Sequence, residues 1–132
     1  MVRNDAAGPQ VRPRIRILCG NEIALGPGKA ELLAAIAAER TIAGAARRLG
    51  MSYMRAWSLV RTMNQCFRAP LIATARGGSE RGTAELTAAG RKVLVLYRRM
   101  ESASLTGLEP AWRELRPFVR STKRPKARSQ VR

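Results

Sequence analysis

Histidine is absent from this 132-residue chain, and acidic residues, aromatic residues and cysteines are all scarce. Without histidine the common Ser-His and Cys-His catalytic arrangements cannot form, and no carboxylate pair or metal-ligand cluster is evident in the sequence. We therefore expect a protein that is not an enzyme and that needs no metal or other cofactor. Apolar runs are also short: residues 32–38, the longest run near the first predicted helix, are far fewer than the roughly 20 that cross a bilayer, so no membrane span is predicted.

The two cysteines, Cys19 and Cys66, lie far apart in the sequence. They are most simply interpreted as reduced packing residues rather than as metal ligands or disulfide partners. Residues 1–16 contain two prolines and lack the apolar centre of a secretory signal, which favours a cytoplasmic protein with a flexible N-terminal arm. The GPGK stretch at residues 26–29 is not a nucleotide phosphate loop, because Ala30 stands where Ser or Thr should bind magnesium, and no small-molecule site is evident.

Positive charge is what the chain has in excess. Lys and Arg total 25 against nine Asp and Glu, which gives a formal net charge of +16. Residues 120–132 supply part of the excess, with six basic residues and no acidic one. The predicted folded part is also basic, through Arg40, Arg47, Arg48, Arg55, Arg61, Arg68, Arg76 and Arg81. This composition favours nucleic acid over an acidic protein or a membrane as the partner.

Residues 41–67 contain the most informative pattern, which predicts a helix-turn-helix. In the first segment, apolar residues recur at spacings of three and four and so share one face: Ile42, Ala45, Ala46 and Leu49. Gly50 and Met51 form the corner. In the second segment the packed face is expected to contain Tyr53, Ala56, Trp57, Val60, Met63 and Phe67.

The opposite face of the second helix contains Met51, Met54, Arg55, Ser58, Thr62 and Gln65. The guanidinium, hydroxyl and amide groups on this face are able to read base edges. Arg55 lies near the start of this helix and is well placed to bind a guanine. The spacing therefore predicts a helix face that can read base edges.

The flanking sequence predicts the rest of the domain. Residues 14–21 indicate a short strand whose partner cannot be identified, and residues 27–40 indicate a helix with Leu32, Leu33, Ile36 and Ala37 on its inner side. Residues 71–75 and 83–86 indicate a hairpin, whose position after the recognition helix is typical of a wing. Arg76 and Arg81 would lie at or near its tip and contact phosphate or a minor groove, unless the hairpin is only a solvated surface loop.

Thr87 is the expected N-cap of a helix running to about Ala103, whose apolar side contains Val93, Leu94, Leu96, Tyr97 and Met100. Such a helix favours a homodimer. Pro110 is expected to begin a separate segment in which Ala111, Trp112, Leu115, Phe118 and Val119 dock on the body. The predicted organisation is a flexible arm at 1–13, a winged helix-turn-helix domain at 14–103, a docking segment at 104–119 and a disordered basic tail at 120–132.

The motif GMSYMRAWSLVRTMN, residues 50–64, is preceded by AARRL and followed by PLI, a Gly-rich wing and LTAAGRKVLVLYRRME. This succession resembles the N-terminal DNA-binding domain of the ModE regulators, which are molybdate-responsive and related to the LysR-type winged helix. The resemblance implies a dimeric winged-helix regulator with base or phosphate contacts at Ser52, Tyr53, Met54, Arg55 and Ser58. Full-length members of that family continue into oxyanion-binding domains, whereas this chain continues into a short basic tail, so the resemblance is to the DNA-binding half.

The sequence therefore predicts a mainly α winged helix-turn-helix with a small β-wing and a long C-terminal dimerisation helix. Its predicted function is sequence-specific regulation of transcription on double-stranded DNA. The predicted DNA-binding residues are Ser52, Tyr53, Met54, Arg55, Ser58, Arg61, Thr62, Arg76 and Arg81. The alternative is a nonspecific basic nucleic-acid (RNA) or protein-interaction module. The aromatic fraction of 5% disfavours single-strand binding, which relies on exposed stacking groups.

Overall fold

A computed structural model describes residues 8–75 and 82–121, which fall into two compact units. One unit is Arg14–Arg99, and the other comprises the described residues on either side of it. The helices and strands are, in chain order, β1 Ile17–Cys19, β2 Glu22–Leu25, α1 Pro27–Glu39, α2 Ile42–Leu49, α3 Tyr53–Cys66, β3 Ile72–Thr74, β4 Ala84–Leu86 and α4 Ala88–Leu115, followed by a 3₁₀ turn at Arg116–Phe118. No helix in these residues is long and apolar enough to cross a membrane.

Helix α1 supplies much of the core. It begins with Pro27 in its first turn, where the missing N–H has no helical partner in any case. Leu32, Leu33 and Ile36 are fully buried, as predicted. Ala37 was placed on the same inner side and is exposed, because the buried side of α1 is centred on Ala35 and Ile36 instead.

Helices α2 and α3 form the predicted helix-turn-helix. The Thr41 hydroxyl accepts a hydrogen bond from the Gly44 N–H at 2.9 Å, which caps the start of α2. Gly50 has a φ of 69°, a left-handed conformation that lets its own N–H and that of Met51 satisfy the last carbonyls of α2. Ile42, Ala45 and Ala46 are buried, so the apolar face of α2 packs into the core, as predicted.

The N-terminal strand is shorter than predicted and its partner is β2. The two strands pair antiparallel around Gly20, which has a φ of 61°. Ile15, just before β1, accepts a hydrogen bond at 2.8 Å from the hydroxyl of Tyr97, a fully buried residue of α4. This bond joins the two ends of the Arg14–Arg99 unit.

The predicted wing hairpin is also present. Strands β3 and β4 pair antiparallel with Ile72 opposite Leu86, and the Ala84 N–H donates to the Arg40 carbonyl at 2.9 Å. The hairpin is therefore attached to the junction of α1 and α2. Thr87 caps α4 as predicted, because its hydroxyl accepts from the Gly90 N–H at 3.0 Å, and it also donates to the Pro70 carbonyl at 2.7 Å.

Helix α4 is longer than predicted. It does not end near Ala103 but continues to Leu115 with Pro110 inside it. A proline removes one helical hydrogen bond, and the flanking residues are good helix formers that propagate the helix cooperatively. Of the residues predicted to dock in the last segment, Trp112 is buried, while the other members of that set are exposed: Ala111, Leu115, Phe118 and Val119. Docking of this segment on the body stays a prediction.

A mainly α winged helix-turn-helix with a small β-wing is thus confirmed. The apolar side of α4 is divided: Tyr97 is buried, Val93 and Leu94 are half-buried, and Leu96 and Met100 are exposed. The dimerisation role of this helix stays a prediction.

Candidate nucleic-acid interface

Helix α3 separates a packed face from an open one. Ala56, Val60 and Met63 are buried, and Trp57 and Phe67 are half-buried. Most of the residues predicted on the opposite face are exposed; these are Met54, Arg55, Ser58 and Gln65, while Met51 and Thr62 are half-buried. The helix therefore presents a polar surface along its outer side.

Tyr53 was predicted to lie on the packed face of α3, which is wrong, since the residue is 50% exposed. It stands at the first position of α3 and contacts Trp57 edge to face, with ring centroids 6.4 Å apart. The contact orients the Tyr53 ring while half of the residue remains exposed. Its position at the start of the helix explains why helical spacing alone misplaced it, and its contact with DNA stays a prediction.

The first turn of α3 is held in place by its own cap. The Ser52 hydroxyl accepts a hydrogen bond from the Arg55 N–H at 3.1 Å, so its oxygen is engaged and its proton is left to donate. Met54 is 76% exposed, the largest exposure among the apolar side chains of this helix, and Arg55 is exposed beside it. These two side chains occupy the part of a recognition helix that typically contacts base edges.

The next turns of α3 offer fewer free polar groups to a ligand than the sequence indicated. Ser58 and Arg61 are exposed. The Thr62 hydroxyl, however, donates to the Ser58 carbonyl at 3.1 Å within the helix, and Thr62 is half-buried. Thr62 can therefore offer only its lone pairs to a ligand.

The surface around α3 is strongly positive. Residues 40–75 contain six arginines and no acidic residue. Two of these arginines have carboxylate partners, Arg48 with Glu39 at 2.8 Å and Arg40 with Glu85 at 3.5 Å. Among the described residues, no ion pair involves the other four: Arg47, Arg55, Arg61 and Arg68. These guanidinium groups keep their full charge available to an anion.

Asn64 fixes the wing to the recognition helix, a role that the sequence analysis did not identify. Its Oδ1 accepts from the Leu71 N–H at 2.8 Å and the Ile72 N–H at 3.1 Å, and its Nδ2 donates to the Ile72 carbonyl at 3.0 Å. One amide thus satisfies three backbone groups at the start of β3. The only sequence signal was an amide in the last turns of α3, shortly before Pro70, which is too common to interpret alone.

The predicted wing contacts Arg76 and Arg81 lie outside the described residues, which resume at Gly82. The described root of the wing lies beside the start of α3. A small recess between them is lined by Ile42, Tyr53, Trp57, Thr74, Ala75, Gly82 and Thr83. The structure therefore brings together, within one unit, the predicted residues of α3 and the base of the hairpin.

Both cysteines are free, as expected, but Cys19 is exposed and only Cys66 is partly buried, so the interpretation as a packing residue does not fit Cys19. Interaction with the Cys19 side chain, followed by partial burial, raises the pKa of Cys66. Helical and strand periodicity carry no information about such an interaction between distant residues.

Comparisons with known proteins agree with this geometry. Residues 28–91 match the family described as bacterial regulatory helix-turn-helix protein, lysR family. The chain is similar to the crystal structure of the CbnR_DBD-DNA complex, with a TM-score of 0.54 and 21% identity, over 67% of this chain and 97% of that one. At this identity the structural likeness supports the fold alone.

Similar sequences come from molybdenum-related proteins. The chain is 43% identical over 79 residues to the molybdenum-pterin-binding protein MopA of Rhodobacter capsulatus, a match that covers 60% of this chain and 30% of that protein. It is 37% identical over 78 residues to the molybdenum transport protein ModE of Azotobacter vinelandii, covering 59% and 29%. It is 37% identical over 71 residues to the DNA-binding transcriptional dual regulator ModE of Escherichia coli K12, covering 54% and 27%. The matched segment thus spans less than a third of each of these relatives.

Proposed function

Because residues 28–91 match the lysR family of helix-turn-helix proteins, we propose that this chain is a transcriptional regulator that binds specific sequences of double-stranded DNA. The observation that carries the proposal is the outer face of α3, where exposed polar side chains stand among arginines that have no carboxylate partner in the described residues. The relatives named for DNA binding and for molybdenum support a target linked to molybdenum metabolism.

In the proposed complex, α3 lies in the major groove with its first turn against the bases. Met54 and Arg55 face base edges, since they are exposed on a turn whose backbone is fixed by the Ser52 cap. Ser52, Tyr53, Ser58, Arg61 and Thr62 supply neighbouring base or phosphate contacts. Arg55 is the residue most suited to a bidentate contact with a guanine, because a guanidinium matches the O6 and N7 acceptors.

Positive charge around α3 supplies affinity without sequence preference. Each phosphate that an arginine neutralises releases counterions, so binding weakens steeply as salt rises. Arg76 and Arg81 extend this contribution to the wing in our proposal. In our proposal residues 14–103 form the DNA-binding domain. The protein acts in the cytoplasm as a homodimer that binds two half-sites.

The test is selection of bound fragments from random duplex DNA at physiological salt, read by sequencing. We expect a two-fold symmetric motif with half-sites about one helical turn apart. Loss of enrichment in an Arg55→Ala variant, with enrichment retained in an Arg99→Ala variant, would assign the selection to α3, because Arg99 is an exposed arginine on α4. The absence of any enriched motif, with binding that only falls with salt, would refute sequence-specific regulation.

A further inference from the structure

Arg40 has a backbone conformation that is rare for its residue type. Its φ is 64°, and no other non-glycine residue in the part of the chain that the structure describes has a positive φ. Glycine adopts this left-handed conformation without strain, so an arginine here costs stability that a glycine would not. The backbone is nevertheless fixed, because the Arg40 N–H donates to the Ile36 carbonyl at 2.8 Å and its carbonyl accepts from the Ala84 N–H at 2.9 Å. A strained residue that is held in this way is a candidate for a function of its side chain.

The side chain of Arg40 lies at the root of the wing. It lines a groove together with residues 73–75 and 83–85 of the hairpin. Three of these wing residues also line the recess that borders Tyr53 at the start of α3. The groove and the recess are therefore neighbours, and a duplex that meets the first turn of α3 comes close to the Arg40 guanidinium.

Glu85 is a weak partner for this guanidinium. Arg40 Nη2 lies 3.5 Å from Glu85 Oε1, and the two side chains are 72% and 65% exposed. Exposed ion pairs of this kind shift an equilibrium by at most about fivefold. The pair of Arg48 and Glu39 is tighter, since it is a hydrogen bond of 2.8 Å between less exposed side chains. A phosphate oxygen can therefore displace Glu85 from Arg40 at little cost.

We propose that Arg40, with the groove beside it, is a binding site for a phosphodiester of the DNA backbone, and that Glu85 occupies the guanidinium until DNA displaces it. This site rests on the proposed function, because it requires that the first turn of α3 meets duplex DNA. On binding, Arg40 exchanges the Glu85 carboxylate for a phosphate, a contact that carries no base information. Glu85 loses its partner in the exchange, so it lowers the affinity for every duplex without changing base preference.

The test measures binding of the full chain to the selected duplex and to a random duplex by fluorescence anisotropy at several salt concentrations. An Arg40→Gly variant removes the side chain and suits the left-handed backbone, so it should unfold at no lower urea concentration than the wild type. We expect it to bind both duplexes about three- to tenfold more weakly for each protomer bound. The slope of log affinity against log salt should become shallower by about 0.9 for each protomer, because one phosphate contact is lost.

A Glu85→Gln variant tests the exchange, because it frees Arg40 and keeps the size of the side chain. It should raise the affinity for both duplexes about two- to fivefold for each protomer, and this gain should fall below about 1.5-fold in the Arg40→Gly background. The matched control is Glu39→Gln, which also removes one negative charge but frees Arg48, a residue that lines a separate groove with residues of α1 and α4. Its gain should be smaller and the same with and without Arg40.

Three outcomes would overturn the phosphate site. These are an Arg40→Gly variant with unchanged affinity and salt slope, a loss of affinity in that variant for the selected duplex alone, or an equal gain from Glu85→Gln with and without Arg40. An Arg55→Ala variant separates this failure from that of the proposed function. If it loses base preference while Arg40→Gly binds normally, α3 reads DNA and the site at Arg40 is refuted. A wild type that does not bind duplex DNA refutes both proposals.

Discussion

Replacement of Asn64 by alanine should destabilise the protein more than its partly exposed position suggests. The substitution removes three hydrogen bonds, two accepted from the N–H groups of Leu71 and Ile72 and one donated to the Ile72 carbonyl. Leu71 and Ile72 are buried, with exposures of 0% and 2%, so their freed backbone groups cannot readily turn to water. Each lost bond contributes about 1 kcal/mol net, and more where a buried group is left unpaired.

The sum predicts a loss of about 2 to 4 kcal/mol in the free energy of unfolding, which is a large share of the roughly 5 to 15 kcal/mol typical of a domain. Urea unfolding followed by circular dichroism measures this directly. The matched control is Gln65→Ala, since Gln65 is the exposed neighbour on the same helix and should cost less than about 0.5 kcal/mol.

An Asn64→Asp variant separates the two kinds of bond. The carboxylate retains an oxygen that accepts from both N–H groups, but its second oxygen faces the Ile72 carbonyl in place of a donor. We expect its stability to lie between those of the wild type and Asn64→Ala. If Asn64→Ala unfolds at the same urea concentration as Gln65→Ala, the reasoning that this amide holds the wing is refuted.

Gly90→Ala should destabilise by about 1 to 3 kcal/mol in urea unfolding, because a Cβ there would lie 2.1 Å from the Leu71 carbonyl oxygen. The same change at Gly107, where nothing lies within 4 Å, should stabilise α4 by up to about 1 kcal/mol, and equal effects would contradict the close packing. Arg55→Ala should weaken binding to the selected site by about 1 to 3 kcal/mol; an equal fall on random duplexes would make it a phosphate contact. Replacing a contacted thymine with deoxyuracil should cost the wild type about 1 kcal/mol and a Met54→Ala variant nothing, and an equal loss in both would exclude Met54 from the thymine methyl.

Local patterns predicted the parts of the fold that depend on local physics. Apolar spacing predicted α2 and α3 because one helical face must be buried, and Gly50 marked the corner because glycine adopts a left-handed conformation without strain. Thr87 was identified as a cap for the same kind of reason, since its hydroxyl satisfies the free N–H of Gly90, three residues ahead.

The structural features that could not be predicted from the sequence depend on contacts between distant segments. Strand β2 has four residues and a weak pattern, so its pairing with β1 is visible only once the hairpin packs on α3. The amide bonds of Asn64 likewise join residues from different elements. Helix α4 was predicted to end near Ala103, with Pro110 beginning a separate segment, whereas the helix formers around Pro110 outweigh one missing N–H and the helix continues to Leu115.

The bond between the Tyr97 hydroxyl and the Ile15 carbonyl has a consequence for how the protein is made. The two residues are separated by 82 positions, and Tyr97 is 1% exposed. During synthesis the N-terminal hairpin and the helix-turn-helix leave the ribosome before α4 does, and Tyr97 cannot fill its place among them until its own segment has emerged. The nascent chain therefore carries an open core until Tyr97 emerges, and the surface of α3 acquires its final support only when the last element of the unit arrives.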